Sequence, residues 1–146
     1  MVGVSKVQQS TRYVNMNDFQ YYIPPTVEQN SNAKKVYETL MKVIADGYTT
    51  LLNSGITKED AANVLPLGSM TTIVLKINAR AILHMAEIRL CNRALKEFRD
   101  LMNELLTTIS NLDDEWAKII SYAKPKCEIL GYCNEKKSCG KYPQKE

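Results

Sequence analysis

The densest group of side chains that could do chemistry lies between residues 78 and 93. Its members are Asn78, Arg80, His84, Glu87, Arg89 and Arg93. Arg80 and His84 are four residues apart and would share one face of a helix. Arg89 would lie on the opposite side, about 13 Å further along the axis. One small ligand could not contact both arginines, whereas a helix that serves two sites or lies between subunits could use both. The alternative, a solvated arginine face with an ordinary histidine, stays open.

A second group, Gln8, Ser10 and Arg12, lies near the start of the chain. In an extended segment alternate side chains point to one side, so an amide, a hydroxyl and a guanidinium would line up as donors. The arginine fork can bind two phosphate oxygens at once. The pattern therefore indicates an anion-binding segment, and the alternative is a polar terminus without a binding role.

The cysteines follow a regular pattern in the last part of the chain. Cys127, Cys133 and Cys139 have five residues between neighbours, and Cys91 is distant in sequence. Structural zinc needs four N or S ligands, usually with a close pair such as C-x₂-C, so no metal site is predicted. Reduced thiols or a staple of the tail are the expected roles. A glycine-rich phosphate loop, a nucleophile elbow and a second histidine are all missing from the sequence.

Periodicity indicates the elements that would position these residues. The predicted strands are residues 19–23, which end at a Pro-Pro pair, and residues 69–77. An apolar stripe of Val36, Leu40, Ile44, Tyr48 and Leu51 predicts a helix over residues 32–53. Thr57 would cap a short helix. Asn78 would cap a long helix that reaches towards Ser110. A last helix over residues 113–122 would bury Trp116 and Ile120.

These elements predict an α+β fold, a helix-dominated single domain with a small, mainly antiparallel sheet. The domain would span residues 1–124, and residues 125–146 would form an irregular tail rich in Cys and Lys. The 146 residues are enough for one domain with a core.

Charge and hydropathy exclude several classes of protein. A net charge of +3 is a mild bias, and arginines 80, 89, 93 and 99 alternate with acidic residues without interleaved aromatics, so no nucleic-acid partner is expected. We expect no membrane segment and no secretory signal, since no apolar run is long enough. The expected location is cytoplasmic, with reduced cysteines.

Four stretches, in this order, resemble the flavin-dependent thymidylate synthases, the ThyX family. They are Gln8–Tyr13, Tyr21–Pro24, Asp60–Pro66 and Asn78-x-Arg80-x-x-x-His84-x-x-x-x-Arg89, which continues to Ala94 and Glu97. The last stretch has the most specific spacing. The resemblance as a whole extends over nearly everything from Val4 to about Tyr122.

The resemblance implies an enzyme that makes dTMP from dUMP, with carbon from methylenetetrahydrofolate and reducing equivalents from NADPH through FAD. The residues implied in dUMP binding are Gln8, Gln9, Ser10, Thr11, Arg12 and Arg89. Those implied in FAD binding are Gln8, Asn78, Arg80 and His84. Arg89 would be catalytic, because a permanent cation at the uracil edge favours loss of the N3 proton, and that loss raises electron density at C5. The family uses no cysteine nucleophile, and it builds its sites from several subunits of a homotetramer.

The chain also departs from the family pattern. The family signature begins Arg-His-Arg, and Val2 stands where its last arginine would be. Ala62 replaces an arginine that helps hold the dUMP phosphate, and Leu95 and Lys96 replace a Gln-Trp pair. Losing two phosphate-binding arginines removes roughly 1.5–3 kcal/mol each, or two to four orders of magnitude in affinity.

Three explanations of these departures are open. The chain is a fragment of an active enzyme, it works with a second polypeptide that supplies the N-terminal half, or it is a non-catalytic paralogue. Such a paralogue would form a helical oligomer that binds a nucleotide or flavin without turnover.

Overall fold

The structure is a computed structural model that describes residues 3–145. Val2, and with it the place of the family's last arginine, lies outside the described residues. The elements are β1 (Val4–Gln8), α1 (Pro25–Glu28), α2 (Ser31–Asn53), α3 (Lys58–Ala61), a 3₁₀ turn (Ala62–Val64), β2 (Ile73–Ile77), α4 (Ala79–Arg89), α5 (Lys96–Ser110), α6 (Asp114–Ile120) and α7 (Lys126–Leu130). Helices dominate, and β1 and β2 form a small antiparallel sheet, which confirms the predicted α+β class.

The described residues fall into two compact units. Residues 6–74 form the N-terminal unit, and residues 3–5 with residues 75–145 form the C-terminal unit. The predicted limits of the domain and its tail, at residues 124 and 125, stay a prediction. No helix among residues 3–145 combines the length and the apolar composition needed to cross a bilayer.

Helix α2 organises the N-terminal unit. It begins where the Asn30 side chain accepts hydrogen bonds from the first amides of the helix, at 3.1 Å, and it ends before Ser54, as predicted. Met41 and Tyr48 are buried on α2, and the Tyr48 hydroxyl accepts a hydrogen bond from Met16 N at 3.4 Å. Phe19 packs into the same core. One face of α2 is therefore fixed against the segment that precedes it.

The apolar stripe predicted for this face of α2 is partly wrong. Ile44, Tyr48 and Leu51 do pack against the core, but Val36 and Leu40 are exposed. The apolar face of the helix is therefore broad, and the edge that carries Val36 and Leu40 does not pack within this unit.

The predicted strand over residues 19–23 is also wrong. The segment makes only an isolated antiparallel bridge between Tyr21 and Ser69. Phe19 turns into the core, and Pro24 and Pro25 have no N–H to continue a ladder. Strand β2 begins at Ile73, later than the predicted start at Ser69.

Two helices, α4 and α5, replace the single long helix predicted from Asn78 to Ser110. The chain turns at residues 90–95, where the Arg99 guanidinium donates to the carbonyl oxygens of Asn92 at 2.8 Å and Ala94 at 3.3 Å. These bonds satisfy carbonyls that lie outside the helices. The turn brings the two helices together around a core of Ile82, Ala86, Met102 and Leu106.

The remaining helices follow α5. Asp113 caps α6 by accepting from Trp116 N at 2.8 Å, and Trp116 and Ile120 are half-buried rather than buried. The tail predicted to be irregular contains α7, which ends at Gly131 with φ of 77°. Hydrogen bonds from Lys124 and then Lys141 hold the pKa of Glu128, on α7, below its ordinary value of 4.5.

Candidate functional site

Asn78 fixes the start of α4. Its Oδ1 accepts a hydrogen bond from Ala81 N at 2.9 Å, and its backbone N donates to Gly3 O at 3.1 Å. A Cβ on Gly3 would lie 2.2 Å from Asn78 Nδ2, and Gly3 has a φ of +87°. Because glycine has no Cβ and tolerates this conformation, the asparagine amide fits beside it. The predicted N-cap is thus confirmed.

The outward face of α4 carries Arg80 and His84. Both are exposed, one turn apart, while Ala81, Ile82 and Ala86 on the other side are buried. His84 Nδ1 lies 3.8 Å from an oxygen of Glu87. Within residues 3–145, Arg80 makes no ion pair or side-chain hydrogen bond. This face therefore offers a guanidinium and an imidazole to a ligand that carries anionic or carbonyl oxygens.

Arg89 lies in the last turn of α4, half a rotation around the helix from Arg80. Its guanidinium lies over the ring of Phe98 on α5, 4.7 Å from the ring centroid. The ring face and the negative end of the helix dipole both favour a cation there. The side chain remains exposed. Arg89 is thus an oriented cation that can still reach a ligand.

The segment from Gln8 to Arg12, in the N-terminal unit, is shaped differently from the prediction. Strand β1 ends at Gln8, and Gln9 N still donates to Thr72 O at 2.9 Å. The chain then turns, because Ser10 Oγ accepts from Arg12 N at 3.1 Å. The predicted alignment of Gln8, Ser10 and Arg12 along one side of an extended segment is therefore wrong. The reason is that the serine side chain bonds to the local backbone and stabilises a turn.

Arg12 has a partner that the sequence did not indicate. Its Nη2 lies 2.7 Å from an oxygen of Glu59, and the two side chains are 56% and 55% exposed. Next to Glu59, Lys58 donates from Nζ to Tyr13 O at 3.3 Å. Sequence reasoning missed both α3 residues. Thr57 marks the start of α3 as predicted, accepting from Asp60 N at 3.2 Å, but no local pattern joins residues so far apart in sequence.

Ala62, at the position where the resemblance implies an arginine, is half-buried and packs against the core of the N-terminal unit. It brings no charge to the turn at residues 10–13. Lys58 is the second cation near this turn, because it binds the carbonyl of Tyr13.

The predicted site residues therefore form two groups. Residues 8–12, which are predicted to bind dUMP, lie in the N-terminal unit, and the residues of α4 predicted to contact the flavin and the uracil ring lie in the C-terminal unit. Each group offers accessible positive charge. The first group has Arg12, and the second has Arg80 and Arg89. The ligands assigned to these residues stay predictions.

Comparisons with known proteins identify the family. The family model described as "Thymidylate synthase complementing protein" matches residues 2–113. The flavin-dependent thymidylate synthase of Nitratidesulfovibrio vulgaris is 36% identical over 149 residues, covering 95% of this chain and 60% of that protein. The flavin-dependent thymidylate synthase of Thermococcus onnurineus is 34% identical over 137 residues, covering 90% and 56%. The chain thus spans less than two thirds of the length of these relatives.

A solved structure has the same fold. The flavin-dependent thymidylate synthase ThyX from Helicobacter pylori, complexed with FAD and dUMP, matches with a TM-score of 0.63 and 21% identity. The match covers 84% of this chain and 63% of that one. The fold, the sequence match and the spacing from Asn78 to Arg89 all indicate the same family. The chain belongs to the thymidylate synthase complementing protein family, in which the relatives it matches are named flavin-dependent thymidylate synthases.

Proposed function

We propose that this chain carries out its part of the flavin-dependent thymidylate synthase reaction, the conversion of dUMP to dTMP. Methylenetetrahydrofolate would supply the carbon, and NADPH the reducing equivalents through FAD. The observation that carries the proposal is α4, which presents Arg80 and His84 on its outward face and Arg89 half a rotation away. The names of the curated relatives support the same reaction.

Residues 8–12 would bind dUMP. Arg12 would hold the phosphate, because its guanidinium offers five donors and Glu59 contacts only one terminal nitrogen. Lys58 adds a positive charge next to the turn. Because position 62 is an alanine, the phosphate would lack one positive charge. Lys58 would offset part of the affinity lost in this way, since phosphate binding depends on the local positive charge.

Arg89 would act on the uracil ring. Arginine keeps its charge at any physiological pH, so it would stabilise the anion left when the N3 proton leaves. The Phe98 ring under the guanidinium limits its rotation. The negative charge left on the ring by loss of the N3 proton would raise electron density at C5, the atom that receives the carbon. Arg89 is therefore the catalytic residue of the proposal.

The α4 donors fit FAD. The guanidinium of Arg80 and the imidazole of His84 suit diphosphate oxygens and the polar edge of a flavin. Asn78 Oδ1 is engaged by Ala81 N, so Asn78 would contact the cofactor through Nδ2. Gln8, which is exposed at the end of β1, would add an amide contact. When bound, FAD would carry the reducing equivalents from NADPH.

We expect the chain to form a homo-oligomer, specifically a tetramer. The observation in its favour is an apolar stripe on α2, where Val36, Leu40 and Val43 are 61%, 52% and 60% exposed. Residues at this spacing share one helix face, and an exposed apolar face marks a surface for association. Light scattering should show Leu40→Lys reducing the molar mass of the particle, whereas Thr39→Lys should leave it unchanged. The cytoplasmic location remains a prediction.

A non-catalytic paralogue is the second candidate. The observation in its favour is Ala62, which is half-buried against the core and would leave the phosphate without the arginine that the resemblance implies at this position. Rescue of a thymidine auxotroph separates the candidates, because only turnover supplies dTMP. Growth would reject the paralogue.

Calorimetric titration of the 146-residue chain with FAD and with dUMP tests the main proposal. Both should bind, and Arg89→Ala should abolish dUMP binding or turnover. Lys118→Ala removes an exposed cation of the same unit that makes no ion pair among residues 3–145, so it is the control and should bind normally. If neither ligand binds, alone or with a polypeptide carrying the Arg-His-Arg segment added, the proposal is wrong.

A further inference from the structure

All four cysteines of the chain line one cavity in the C-terminal unit. The cavity has a volume of about 160 Å³ and lies between the end of α4, α7 and the tail. Its sulfur-bearing residues are Cys91, Cys127, Cys133 and Cys139, all with free thiols. Cys91 is far from the other three in sequence, so the tertiary fold brings it to them. The thymidylate synthase proposal gives these thiols no role.

The four thiols differ in accessibility. Cys139 is exposed, Cys91 and Cys127 are half-buried, and Cys133 is buried. A small reagent would therefore reach Cys139 first. Reaction with a thiol depends on access to the sulfur, so Cys139 is the expected site of first attack.

The tail is fastened so that Cys139 lies next to the turn that carries Cys91. Asn92 Nδ2 donates to Cys139 Sγ at 3.8 Å. Arg93 Nη1 donates to Lys137 O at 3.0 Å and lies 3.5 Å from an oxygen of Glu135. Three consecutive residues of the turn, from Cys91 to Arg93, therefore face the tail or line the cavity that it encloses. Cys91 is the thiol whose own segment contacts Cys139.

A metal ion is a weaker explanation of the cluster. Among residues 3–145, no three His, Cys, Asp or Glu side chains are arranged to hold a metal. Structural zinc needs four such ligands in a tetrahedron. A disulfide needs only two thiols and a local adjustment of one loop.

We propose that Cys91 and Cys139 form a reversible disulfide that staples the tail to the end of α4. The oxidant is a low-molecular-weight disulfide. The Cys139 thiolate attacks one of its sulfurs, forming a mixed disulfide and releasing one small thiol. The Cys91 thiolate then attacks the Cys139 sulfur and releases the second small thiol. The two protein thiols lose two electrons and two protons, which reduce one small disulfide to two small thiols.

The staple would act close to the proposed catalytic residue. Cys91 follows Arg89 by two residues, so a bond from Cys91 to the tail restrains the end of α4. This consequence rests on the proposed function, but the disulfide itself does not.

Oxidised glutathione is the probe for the test. The reduced 146-residue chain is incubated with it, the remaining thiols are alkylated, and peptides are mapped without reduction. We expect one cross-linked peptide pair that contains Cys91 and Cys139, with two thiols left to alkylate. Dithiothreitol should restore all four thiols.

Two variants test the order of attack and one serves as the control. Cys91→Ser should stop at a glutathione adduct on Cys139, whereas Cys139→Ser should react at least tenfold more slowly, because its remaining thiols are less accessible. Cys127→Ser should still form the Cys91–Cys139 pair. Circular dichroism checks that each variant is folded.

Three outcomes would overturn the proposal. They are a cross-link between another pair, a cross-link only between two chains, and four thiols that remain free. Zinc provides a separate arm. If one equivalent of zinc protects all four thiols from alkylation, the cluster is a metal site and the disulfide proposal is wrong.

Discussion

Replacing Glu59 by glutamine tests whether Arg12 is the cation that holds a nucleotide phosphate. Arg12 Nη2 lies 2.7 Å from the Glu59 carboxylate, so the ligand and Glu59 would compete for one guanidinium. Both side chains are more than half exposed, and an ion pair of this kind contributes about 0.2–1 kcal/mol. Releasing Arg12 should therefore tighten dUMP binding by about 1.4- to 5-fold.

The assay is the Kd of dUMP measured by calorimetry for the 146-residue chain. Asp46→Asn is the matched control, because it removes one exposed negative charge from the same unit at a site on α2. Arg12→Ala should weaken binding by about 10- to 150-fold, since a hydrogen bond to a charged group contributes roughly 1.5–3 kcal/mol. Combined with Arg12→Ala, Glu59→Gln should add no more than the control does.

Three results would refute this reasoning. If Glu59→Gln weakens dUMP binding, the carboxylate orients Arg12 for the ligand and does not compete with it. If Asp46→Asn gives the same gain, the effect is one of net charge and the 2.7 Å contact has no special part in it. If Arg12→Ala leaves the Kd unchanged, the phosphate binds elsewhere and the role assigned to residues 8–12 fails.

Three further predictions concern the C-terminal unit. Asn78→Ala removes the N-cap bond of α4 and should lower stability by about 0.5–2 kcal/mol, a fall in Tm of roughly 2–6 °C by circular dichroism; Asn78→Asp keeps the acceptor and should not. Phe98→Leu removes the ring beneath the proposed catalytic arginine and should weaken dUMP binding about 2- to 5-fold, and equal affinity would exclude an orienting role. Hydrogen bonds from Lys124 and Lys141 lower the pKa of Glu128 in the folded state. The contribution of the Glu128 carboxylate to the stability of the fold is therefore present above pH 4.5 and is lost as the pH falls through the folded pKa. Proteolysis of the tail should accelerate in that window, and Glu128→Gln should flatten the pH profile.

Local signals in the sequence were enough to predict where several helices begin. Asn78, Thr57 and Asp113 each precede a helix, and each side chain accepts from a backbone amide three residues on. A cap involves only neighbouring residues, so its pattern survives whatever the tertiary fold is. The start of α4, which positions the candidate site, was predictable for this reason.

The break between α4 and α5 was not predictable from periodicity. Apolar residues continue at helical spacing through residues 90–95, and α5 begins after Leu95 without a side-chain cap. The turn depends on Arg99, whose guanidinium bonds three backbone carbonyls at residues 91, 92 and 94. An arginine on the helix surface gives no local sign that it will serve the backbone in this way.

The apolar face of α2 shows a second limit of the same kind. Val36 and Leu40 are apolar and have the same four-residue spacing as Ile44 and Tyr48, yet only the latter pair packs within the unit. Periodicity identifies apolar faces but not their partners. The ion pair between Arg12 and Glu59 was missed because it joins two segments that only tertiary structure brings together.

Helix α4 is held in a way that separates its stability from its proposed chemistry. Its buried residues are Ala81, Ile82 and Ala86, and Met85 packs half-buried against the same core, so apolar side chains hold the helix in place. Arg80 is exposed and contributes little to that packing. Arg80→Ala should therefore change binding at nearly constant Tm, since exposed surface substitutions usually alter stability by less than about 0.5 kcal/mol. A large fall in Tm for Arg80→Ala would instead mean that this arginine holds the fold, and its effect on flavin could not be interpreted as a lost contact.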